Sequence, residues 1–565
     1  MHPIALRPRL LLHPDNDADI LFSVEPANRY ARFAPFVLDL ALFLAGGLIL
    51  LTASAFPTDW DSCQFVLGMT RFCPPDHQPH PPGYYCFLYF AQMTKAVSGA
   101  GNHSALLMMS AGASALLIPA VRRLTAKLFP GRLDISIGAA LLALAAPARL
   151  FFGSQALSYT WEGLFATLLI SLALDLNPKV GRKNRFAWLG WLLLWALSGG
   201  FRPNLLLFLL PLALFLAVRQ RWWENLLGSI VVLLVTARWL VPSIVASGGL
   251  TRYVDSVRGE SSFFVSYGLG WSRLADNLQA LYNTPGAVSG LHIAGWVLIA
   301  LTFLGLAGLT GRKGDFLDVS HRTIILLALV PMFLFHAFLM FSLRYSLLYL
   351  PILAPVLAWL GASALEKAVA LMPSLGLQRW SRSAGWAIPA VLLLVSCHAF
   401  LAGNGIHSLA HIRSLERETR HVAMYVRELG MPDSVTIIAG RQFRCWGIAL
   451  PEYTIYHPMH ALYPKYLNPR LAAMRNGDTI RGDFFLPGAP ESESATLPLP
   501  NEDAGQIVVL DEDAYRALMS PKDGWSSERI TNRENLYWRR FDTNLVLMDQ
   551  PGGFSLAANS GPPID

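Results

Sequence analysis

Long apolar runs separated by short polar segments fill the chain between residues 36 and 402. A helix that crosses the hydrocarbon core of a bilayer needs about 20 predominantly apolar residues. The runs therefore predict roughly eleven membrane spans, near residues 36–54, 103–121, 135–150, 158–176, 186–200, 204–218, 226–246, 289–309, 323–342, 345–361 and 384–402. Several runs are shorter than about 20 residues, so the first and last residues of these spans are only loosely defined.

The apolar segment 84–98 is too short to cross, and its pattern favours a helix that lies at the membrane interface. With the N-terminus inside, about twenty Lys and Arg fall in the inner segments, against about eight in the outer segments before residue 403, the direction of the positive-inside rule. Treating 84–98 as a span would reverse every later loop and remove this bias. The odd number of spans places residues 403–565 outside.

The composition supports a membrane protein and excludes two other classes. Hydrophobic residues make up 53% of the 565 residues and charged residues 15%, whereas a soluble protein would have about 25% charged residues. The net charge of +7 does not indicate nucleic-acid binding, because the basic residues lie in the short loops. We therefore expect the lipid bilayer, and no nucleic acid, as a partner.

The segment 403–565 differs in character from the rest, since it is rich in charge and proline and contains no run long enough to span. Residues 407–430 and Asp513–Met519 are predicted to be helical, and Ser434–Ala439 and Gln506–Leu510 to be buried strands. The chain thus divides into a transmembrane domain, residues 1–402, and a small extracytoplasmic α/β domain, residues 403–565.

Cysteine usage leaves two alternatives open. Cys63 and Cys73 lie in the same predicted outer loop, where an oxidising compartment would allow them to form a disulfide. Two unpaired cysteines are the other interpretation. The five cysteines have no spacing typical of a metal site.

Acidic and imidazole side chains follow the first span directly, as Asp59-Trp60-Asp61 and then His77-Gln78-Pro79-His80-Pro81-Pro82-Gly83-Tyr84-Tyr85. Ionisable groups near the bilayer are costly and tend to be functional. Other unusual charges also fall on the predicted outer side, at Glu162, Arg202, Arg344 and, within the loop 247–288, Arg252, Asp255, Arg258 and Glu260. Carboxylates can take a proton from an acceptor hydroxyl, and arginines can neutralise a departing phosphate through bidentate hydrogen bonds. A lipid-linked phosphosugar would supply that phosphate and explain the membrane location.

Four short motifs carry a resemblance to known membrane enzymes. They are Asp61-Ser62-Cys63-Gln64-Phe65 with Leu67-Gly68, His80-Pro81-Pro82-Gly83-Tyr84, Gly200-Phe201-Arg202-Pro203, and Arg344-Tyr345 followed by Leu350-Pro351 and Pro355. Over about residues 36–361 the chain resembles the membrane glycosyltransferases of the GT-C superfamily, which use polyprenyl-phosphate-linked sugars. The similar families are the protein O-mannosyltransferases, the lipid A aminoarabinose transferases and bacterial families with a His-Pro-Pro-Gly-Tyr motif.

The resemblance implies a GT-C-like helical fold and an inverting transfer on the outer surface of a bacterial-type inner membrane. The base would be Asp61, which aligns with the family's Asp-x-x-Glu/Gln-Phe run, with Asp59 as the second candidate. Gln64 stands where relatives often have Glu. The spacing of Asp59 and Asp61 suits a metal, although many family members work without one, so a divalent cation stays open and no other cofactor is expected. The predicted substrate-binding residues are His80, Tyr84, Glu162, Arg202, Arg258, Arg344 and Tyr345.

Each candidate also has a purely structural interpretation. An Asp in a solvated loop can cap a helix, and the histidines can shape turns around the prolines. The outer arginines, Arg202 and Arg344, can snorkel to lipid headgroups, while Glu162 can pair with Arg149 or another hinge arginine. Four aromatic residues are interpreted as interfacial anchors, with stacking of one of them on a sugar as the alternative: Trp60, Tyr84, Tyr85 and Trp271.

Three functions compete. The first is transfer of a sugar from a polyprenyl-phosphate donor to a hydroxyl of a glycan, lipid or protein. The second is a transporter or flippase of an anionic lipid or solute, which should have polar groups at mid-membrane and often an inverted repeat. The third is a scaffold that presents residues 403–565. Convergence of Asp61, Arg202 and Arg344 at one outer site would favour the enzyme.

Overall fold

The computed structural model describes residues 33–176, 185–266, 319–338, 343–371, 385–403, 405, 407–440, 443–456, 496–498, 506–530, 535–542, 545–550 and 553–558. The helices before residue 403 are α1 (Ala34–Gly47), α2 (Trp60–Thr70), α3 (Tyr85–Ser98), α4 (Asn102–Leu128), α5 (Leu133–Ala145), α6 (Pro147–Phe152), α7 (Tyr159–Asp175), α8 (Arg185–Phe201), α9 (Asn204–Phe208), α10 (Leu210–Ala217), α11 (Trp222–Ala246), α12 (Leu250–Ser266), α13 (Val319–Phe338), α14 (Leu350–Ala370) and α15 (Ala387–Ala402). Short 3-10 turns occupy Leu48–Thr52, Pro74–Asp76 and Leu343–Leu348.

Three of the described helical segments are long and apolar enough to cross a membrane: Ala34–Thr52, Asn102–Leu128 and Trp222–Ala246. Most other predicted spans coincide with shorter apolar helices, and two of them are interrupted. The run 135–150 forms α5 and α6 on either side of Ala146, and the run 204–218 forms α9 and α10. The run 289–309 lies outside the described residues, so the number of eleven spans stays a prediction.

Helix α4 organises the bundle by packing against α1, α3, α5 and α7. At its first residue, the Asn102 side chain donates to the Thr70 hydroxyl over 3.1 Å. At the other end, Arg122 and Arg123 both pair with the buried carboxylate of Asp39 from α1. These polar ends are about 20 residues apart, which is about 30 Å along a helix and matches the hydrocarbon thickness.

The segment predicted to lie at the interface is helical, as α3. Its 14 residues span about 21 Å, which is too short to cross the core of a bilayer at right angles. Its buried side packs on α4 and α8 and includes Phe87, Leu88 and Ala91. Its interfacial position stays a prediction.

Beyond residue 403, the described residues form helices and two small sheets. The helices are α16 (Leu409–Leu429), α17 (Phe443–Ala449) and α18 (Glu512–Ala517), and the strands are β1 (Val435–Ile438), β2 (Thr454–Tyr456), β3 (Thr496–Pro498), β4 (Gln506–Leu510), β5 (Ser526–Arg529), β6 (Asn535–Phe541), β7 (Leu545–Gln550) and β8 (Gly553–Ala558). The first sheet has the order β2-β1-β4-β6-β5, with β2, β1 and β4 parallel and β6 and β5 antiparallel to their neighbours. The second, β3-β7-β8, is antiparallel. The predicted strands at β1 and β4 are confirmed, whereas the domain boundary at residue 403 stays a prediction.

A disulfide between Cys63 of α2 and Cys445 of α17 ties this α/β part to the helical bundle. The two Cα atoms are 5.7 Å apart, within the usual range for a disulfide. The predicted alternatives for Cys63, a bond to Cys73 or no bond, are therefore both wrong. Trp60, predicted as an interfacial anchor, packs with Leu67 against the core formed around β1 and α17, which corrects that prediction.

Candidate functional site

Three side chains that are distant in the sequence meet at the start of α2. The Arg344 Nη1 donates to Asp61 Oδ2 over 3.0 Å and to the Tyr159 hydroxyl over 2.8 Å. The Tyr159 hydroxyl in turn donates to the same Asp61 oxygen over 2.8 Å. The structure therefore brings together a carboxylate from the first turn of α2, the first residue of α7 and the arginine that precedes α14.

The local sequence explains why Asp61 lies in the first turn of a helix. Asp59 is the N-cap of α2, and its Oδ1 accepts the Asp61 backbone N–H over 2.9 Å. The Ser62 hydroxyl accepts the Asp59 N–H over 3.2 Å, which completes a capping box. The capping interpretation is thus correct for Asp59, while Asp61 projects its carboxylate toward the arginines.

The two carboxyl groups have opposite pKa shifts. Burial and repulsion from Asp61 raise the pKa of Asp59 to about 6, although Arg344 and the backbone hydrogen bonds oppose the change. Burial alone would also raise the pKa of Asp61, but His80, Arg344 and the Tyr159 hydrogen bond outweigh it and lower that pKa. Asp61 is consequently ionised at neutral pH.

The two oxygens of Asp61 are not equivalent. Oδ2 accepts from Tyr159 and Arg344, as described above. Oδ1 accepts no hydrogen bond from any residue that the structure describes, and His80 Nδ1 lies 3.9 Å from it. Only the Oδ1 side is therefore open to a further hydrogen-bond donor.

The His-Pro loop is held against α2 by His80. Its backbone N–H and its Nδ1 lie 2.9 and 2.8 Å from Gln64 Oε1, and its Nε2 lies 3.0 Å from the Tyr84 hydroxyl. Since Gln64 Oε1 only accepts, Nδ1 carries a proton, and in the neutral ring Nε2 accepts from Tyr84. The neutral Gln64 thus orients the imidazole rather than supplying a second carboxylate.

Two glycines allow this loop to approach so closely. A Cβ on Gly68 would lie 2.9 Å from the backbone nitrogen of Pro79. Gly83 has φ +109°, a conformation that L side chains rarely adopt, and a Cβ there would also approach Pro74. The Gln78–Pro79 and Pro81–Pro82 peptide bonds are cis. His77 is buried in the left-handed region at φ 54°, within the turn before the prolines.

The described residues around Asp59 and Asp61 do not form a cluster of metal ligands. In the described part of the chain, no three His, Cys, Asp or Glu side chains cluster as metal ligands would. Asp59 Oδ1 is engaged in the helix cap, and the guanidinium of Arg344 lies on Asp61 Oδ2. A cation bound through Asp59 Oδ1 and Asp61 Oδ2 would have to displace these contacts.

Arg202 is the second cation of the site and, unlike Arg344, it is buried. Pro203 lacks an N–H and ends α8, so Arg202 lies at the break between α8 and α9. Its side chain is 3% exposed, and its Nε lies 3.3 Å from Oε2 of the fully buried Glu162. Its guanidinium also lies 4.4 Å from the Tyr159 ring centroid and 5.2 Å from that of Tyr84.

These contacts decide between the interpretations of the outer arginines. Arg202 is too deeply buried to snorkel to headgroups, so that interpretation is wrong. Glu162 pairs with Arg202 and not with Arg149, whose guanidinium donates to the Leu144 carbonyl and the Ser114 hydroxyl. Arg344 is 30% exposed and is directed toward Asp61.

The remaining predicted residues differ in position. Tyr84 is buried and contacts His80, which corrects its prediction as an interfacial anchor. Tyr345 lies edge-on to Tyr159, with ring centroids 6.2 Å apart. Arg258 is not brought into the cluster, because its side chain is 78% exposed and its Nη1 lies 3.9 Å from Asp255 Oδ1. Its role as a substrate ligand stays a prediction.

Sequence reasoning missed Tyr159 and the orienting role of Gln64. Tyr159 is one helical turn from Glu162, which had been identified by its charge. A tyrosine at the end of a span is also what an interfacial anchor looks like, so its residue type gave no distinguishing signal.

Neither a family model nor a curated protein sequence matches the chain. Its fold matches two crystal structures of ArnT from Cupriavidus metallidurans, each at 14% identity and covering 90% of this chain and 98% of that one. The TM-score is 0.51 for the apo state and 0.52 for the state bound to undecaprenyl phosphate. The chain has a GT-C-like fold. The resemblance found in the sequence is thus confirmed at the level of the fold, and three of the described helical segments are long and apolar enough to cross a membrane.

Proposed function

We propose that the protein transfers a sugar from a polyprenyl-phosphate-linked donor to an acceptor hydroxyl, with inversion, and that Asp61 is the general base. The observation that carries the proposal is the Asp61–Tyr159–Arg344 cluster with Arg202 beside it. A carboxylate with one open oxygen lies next to two guanidinium groups, and this combination suits proton removal together with stabilisation of a departing anion.

In the proposed step, the acceptor hydroxyl approaches Asp61 Oδ1 and attacks the anomeric carbon of the donor. Its proton passes to Asp61 as the new C–O bond forms. The bond between the anomeric carbon and the phosphate oxygen breaks, and its electron pair leaves with the lipid phosphate. Arg202 and Arg344 carry the positive charge that would stabilise this anion. His80 and Tyr84 would form the wall of the site on the side of the first loop, with Glu162 paired to Arg202 and Tyr345 edge-on to Tyr159.

The low pKa of Asp61 fits this role, because the base is ionised at any physiological pH. A carboxylate of low pKa is a weak base toward a free alcohol. The acceptor hydroxyl becomes strongly acidic only as its oxygen bonds to the anomeric carbon. We therefore infer that proton transfer accompanies, rather than precedes, formation of that bond.

The Cys63–Cys445 disulfide supports an extracytoplasmic site. Cys63 lies two residues after Asp61, so the bond and the proposed base share one side of the membrane. Disulfides persist in oxidising compartments such as the periplasm and not in the cytosol. We propose accordingly that the N-terminus is cytoplasmic, that the site faces the periplasm of an inner membrane, and that residues 403–565 help to position the acceptor.

The donor class also has support from the fold comparison. One of the ArnT crystal structures contains undecaprenyl phosphate, a lipid phosphate of the kind that the proposed reaction releases. The acceptor can be a glycan, a lipid or a protein, since the described residues offer no contact that selects among them.

Replacing Asp61 by Asn tests the proposal, because Asn keeps the shape of the side chain and cannot accept the proton. The purified protein would be incubated with a panel of polyprenyl-phosphate sugars, and release of the lipid phosphate measured. We expect Asp61→Asn to lower the rate by about 10²–10⁴-fold. The control is Asp175→Asn, an exposed carboxylate that pairs with Lys127 at the opposite membrane face and should leave transfer unchanged. A well-folded Asp61→Asn protein with a near wild-type rate would refute the assignment.

A further inference from the structure

Tyr159 contacts each of the charged groups on which the proposed function depends. Its hydroxyl bridges Asp61 and Arg344 at 2.8 Å to each, and the guanidinium of Arg202 lies 4.4 Å from its ring centroid. The side chain is 3% exposed. Phe152 packs against the ring at a centroid distance of 5.3 Å. Tyr159 therefore has little freedom to turn away from the carboxylate.

The direction of its hydrogen bonds follows from the chemistry of the partners. A guanidinium nitrogen can only donate, so the Tyr159 oxygen must accept from Arg344. The single hydroxyl proton is then left for Asp61 Oδ2, which is 2.8 Å away. Tyr159 is thus a neutral, fixed donor to one particular oxygen of the carboxylate.

Together, the two donors occupy Asp61 Oδ2 and leave the other oxygen unoccupied. Oδ2 receives Tyr159 and, over 3.0 Å, Arg344. Within the described residues Oδ1 accepts no hydrogen bond, and His80 Nδ1 stays 3.9 Å away from it. The carboxylate plane is fixed by these contacts, because rotation of the group would break both bonds to Oδ2.

We propose that Tyr159 is a positioning residue that commits Asp61 Oδ2 to hydrogen bonds within the protein and so makes Oδ1 the oxygen that receives the acceptor proton. This inference rests on the proposed function for its catalytic consequence. Its structural part, the coupling between the Tyr159 hydroxyl and the charge on Asp61, can be tested without any substrate.

The charged and titratable groups around Asp61 define what the loss of the hydroxyl should do. They are Asp59 on α2 itself, His80 and Tyr84 on the His-Pro loop, Tyr159 on α7, Arg202 after α8, and Arg344 and Tyr345 before α14. In Tyr159→Phe the ring stays beneath Arg202, and the hydroxyl is lost together with its hydrogen bonds to Asp61 and Arg344. Since hydrogen bonds to charged groups contribute about 1.5–3 kcal/mol, the pKa of Asp61 should rise by roughly one to two units.

Infrared titration measures this shift directly. The difference between the carboxyl bands of the protein and of Asp61→Asn isolates the titration of Asp61, and the same difference is taken between Tyr159→Phe and Tyr159→Phe/Asp61→Asn. We expect the midpoint to lie roughly one to two pH units higher in the Phe background. The matched control is Tyr89→Phe, which removes a hydroxyl from a partly exposed side chain of α3 and should leave the midpoint unchanged. Equal midpoints in all backgrounds would overturn the coupling and with it the inference.

The pH dependence of transfer then separates this inference from the proposed function. If both hold, Asp61→Asn is inactive, and Tyr159→Phe moves the acidic limb of kcat/KM upward by the same amount as the infrared midpoint. If Asp61→Asn is inactive while the limb in Tyr159→Phe stays in place, the proposed function stands and the role of Tyr159 is refuted. If Asp61→Asn transfers normally, the base assignment fails, whatever the infrared midpoint.

Discussion

The buried ion pair between Glu162 and Arg202 should be a major determinant of stability, and Glu162→Gln tests this. The two side chains are 0% and 3% exposed, and the closest charged atoms are 3.3 Å apart. Glutamine has nearly the same shape, so the substitution removes the negative charge without opening a cavity. It leaves a buried guanidinium without a counter-charge.

The magnitude follows from what Arg202 loses and what it keeps. Removing one member of a buried ion pair costs about 3–5 kcal/mol. Arg202 keeps its positions over the Tyr159 and Tyr84 rings, and such contacts contribute about 0.5–2 kcal/mol each. It also keeps a weak hydrogen bond to the Ser158 hydroxyl at 3.4 Å. We therefore expect Glu162→Gln to lower the free energy of unfolding by about 2–4 kcal/mol.

An exposed pair in the same chain provides the matched control. Arg427 and Glu452 approach more closely, at 2.7 Å, but their side chains are 47% and 37% exposed. Exposed pairs contribute about 0–1 kcal/mol, so Glu452→Gln should lower the free energy of unfolding by no more than about 1 kcal/mol. The comparison separates burial from distance, because the closer pair is expected to matter less.

The assay is denaturant unfolding of the detergent-solubilised protein, with both single variants and Glu162→Gln/Arg202→Met. In the double variant the unpaired charge is gone, so much of the lost stability should return. A cost for Glu162→Gln no larger than that for Glu452→Gln would refute the reasoning. The same conclusion would follow if the double variant were less stable than Glu162→Gln alone.

Three further predictions concern α2 and its contacts. Because the pKa of Asp59 is raised to about 6, the stability it contributes is complete below pH of about 4 and is lost as pH rises through about 6. Asp59→Asn keeps a good N-cap and removes the buried charge. In denaturant titrations it should therefore stabilise the protein by about 1–2 kcal/mol at pH 7.5 and have no such effect at pH 4. An equal effect at the two pH values would contradict this. Cys445→Ser should abolish the disulfide and lower the free energy of unfolding by about 2–5 kcal/mol. Loss of the disulfide is seen as loss of the reduction-dependent shift in gel mobility. A shift that persists in Cys445→Ser would contradict the assigned pairing. Gly68→Ala should displace the His-Pro loop and reduce the rate of sugar transfer by at least about tenfold. The control is Gly112→Ala, where an added Cβ meets nothing within 4 Å and should be tolerated. Equal activity of the two variants would contradict the close packing at Gly68.

The sequence predicted where the charged residues would gather because the apolar runs restrict them to the ends of helices. Asp61, Arg202 and Arg344 each follow or precede a run, and the parity of the runs puts all three at the same end. Convergence of three such positions then needs only that the helices pack as a compact bundle. The catalytic roles of these residues stay predictions.

Pairing between distant residues could not be derived in the same way. Arg149 and Arg202 are both arginines at predicted span ends, and only the packing of α7 against α8 selects Arg202 as the partner of Glu162. The true partner of Cys63 is 382 residues away, whereas a cysteine in the same loop is the simpler expectation. Tyr159 has a residue type that either an anchor or a site would use. In each case the missing information is the tertiary packing that brings the two residues together.

The long sequence separation of the disulfide has a consequence for biosynthesis. Cys63 emerges from the ribosome long before Cys445, and every helix of the bundle between them must be inserted before the two thiols can meet. Closure of this bond therefore reports that insertion has reached the α/β part with the correct orientation. In a partial translation product that lacks residue 445, the segment that bears Asp61 is not cross-linked to the α/β part. Oxidation of this one pair can therefore serve as an assembly checkpoint.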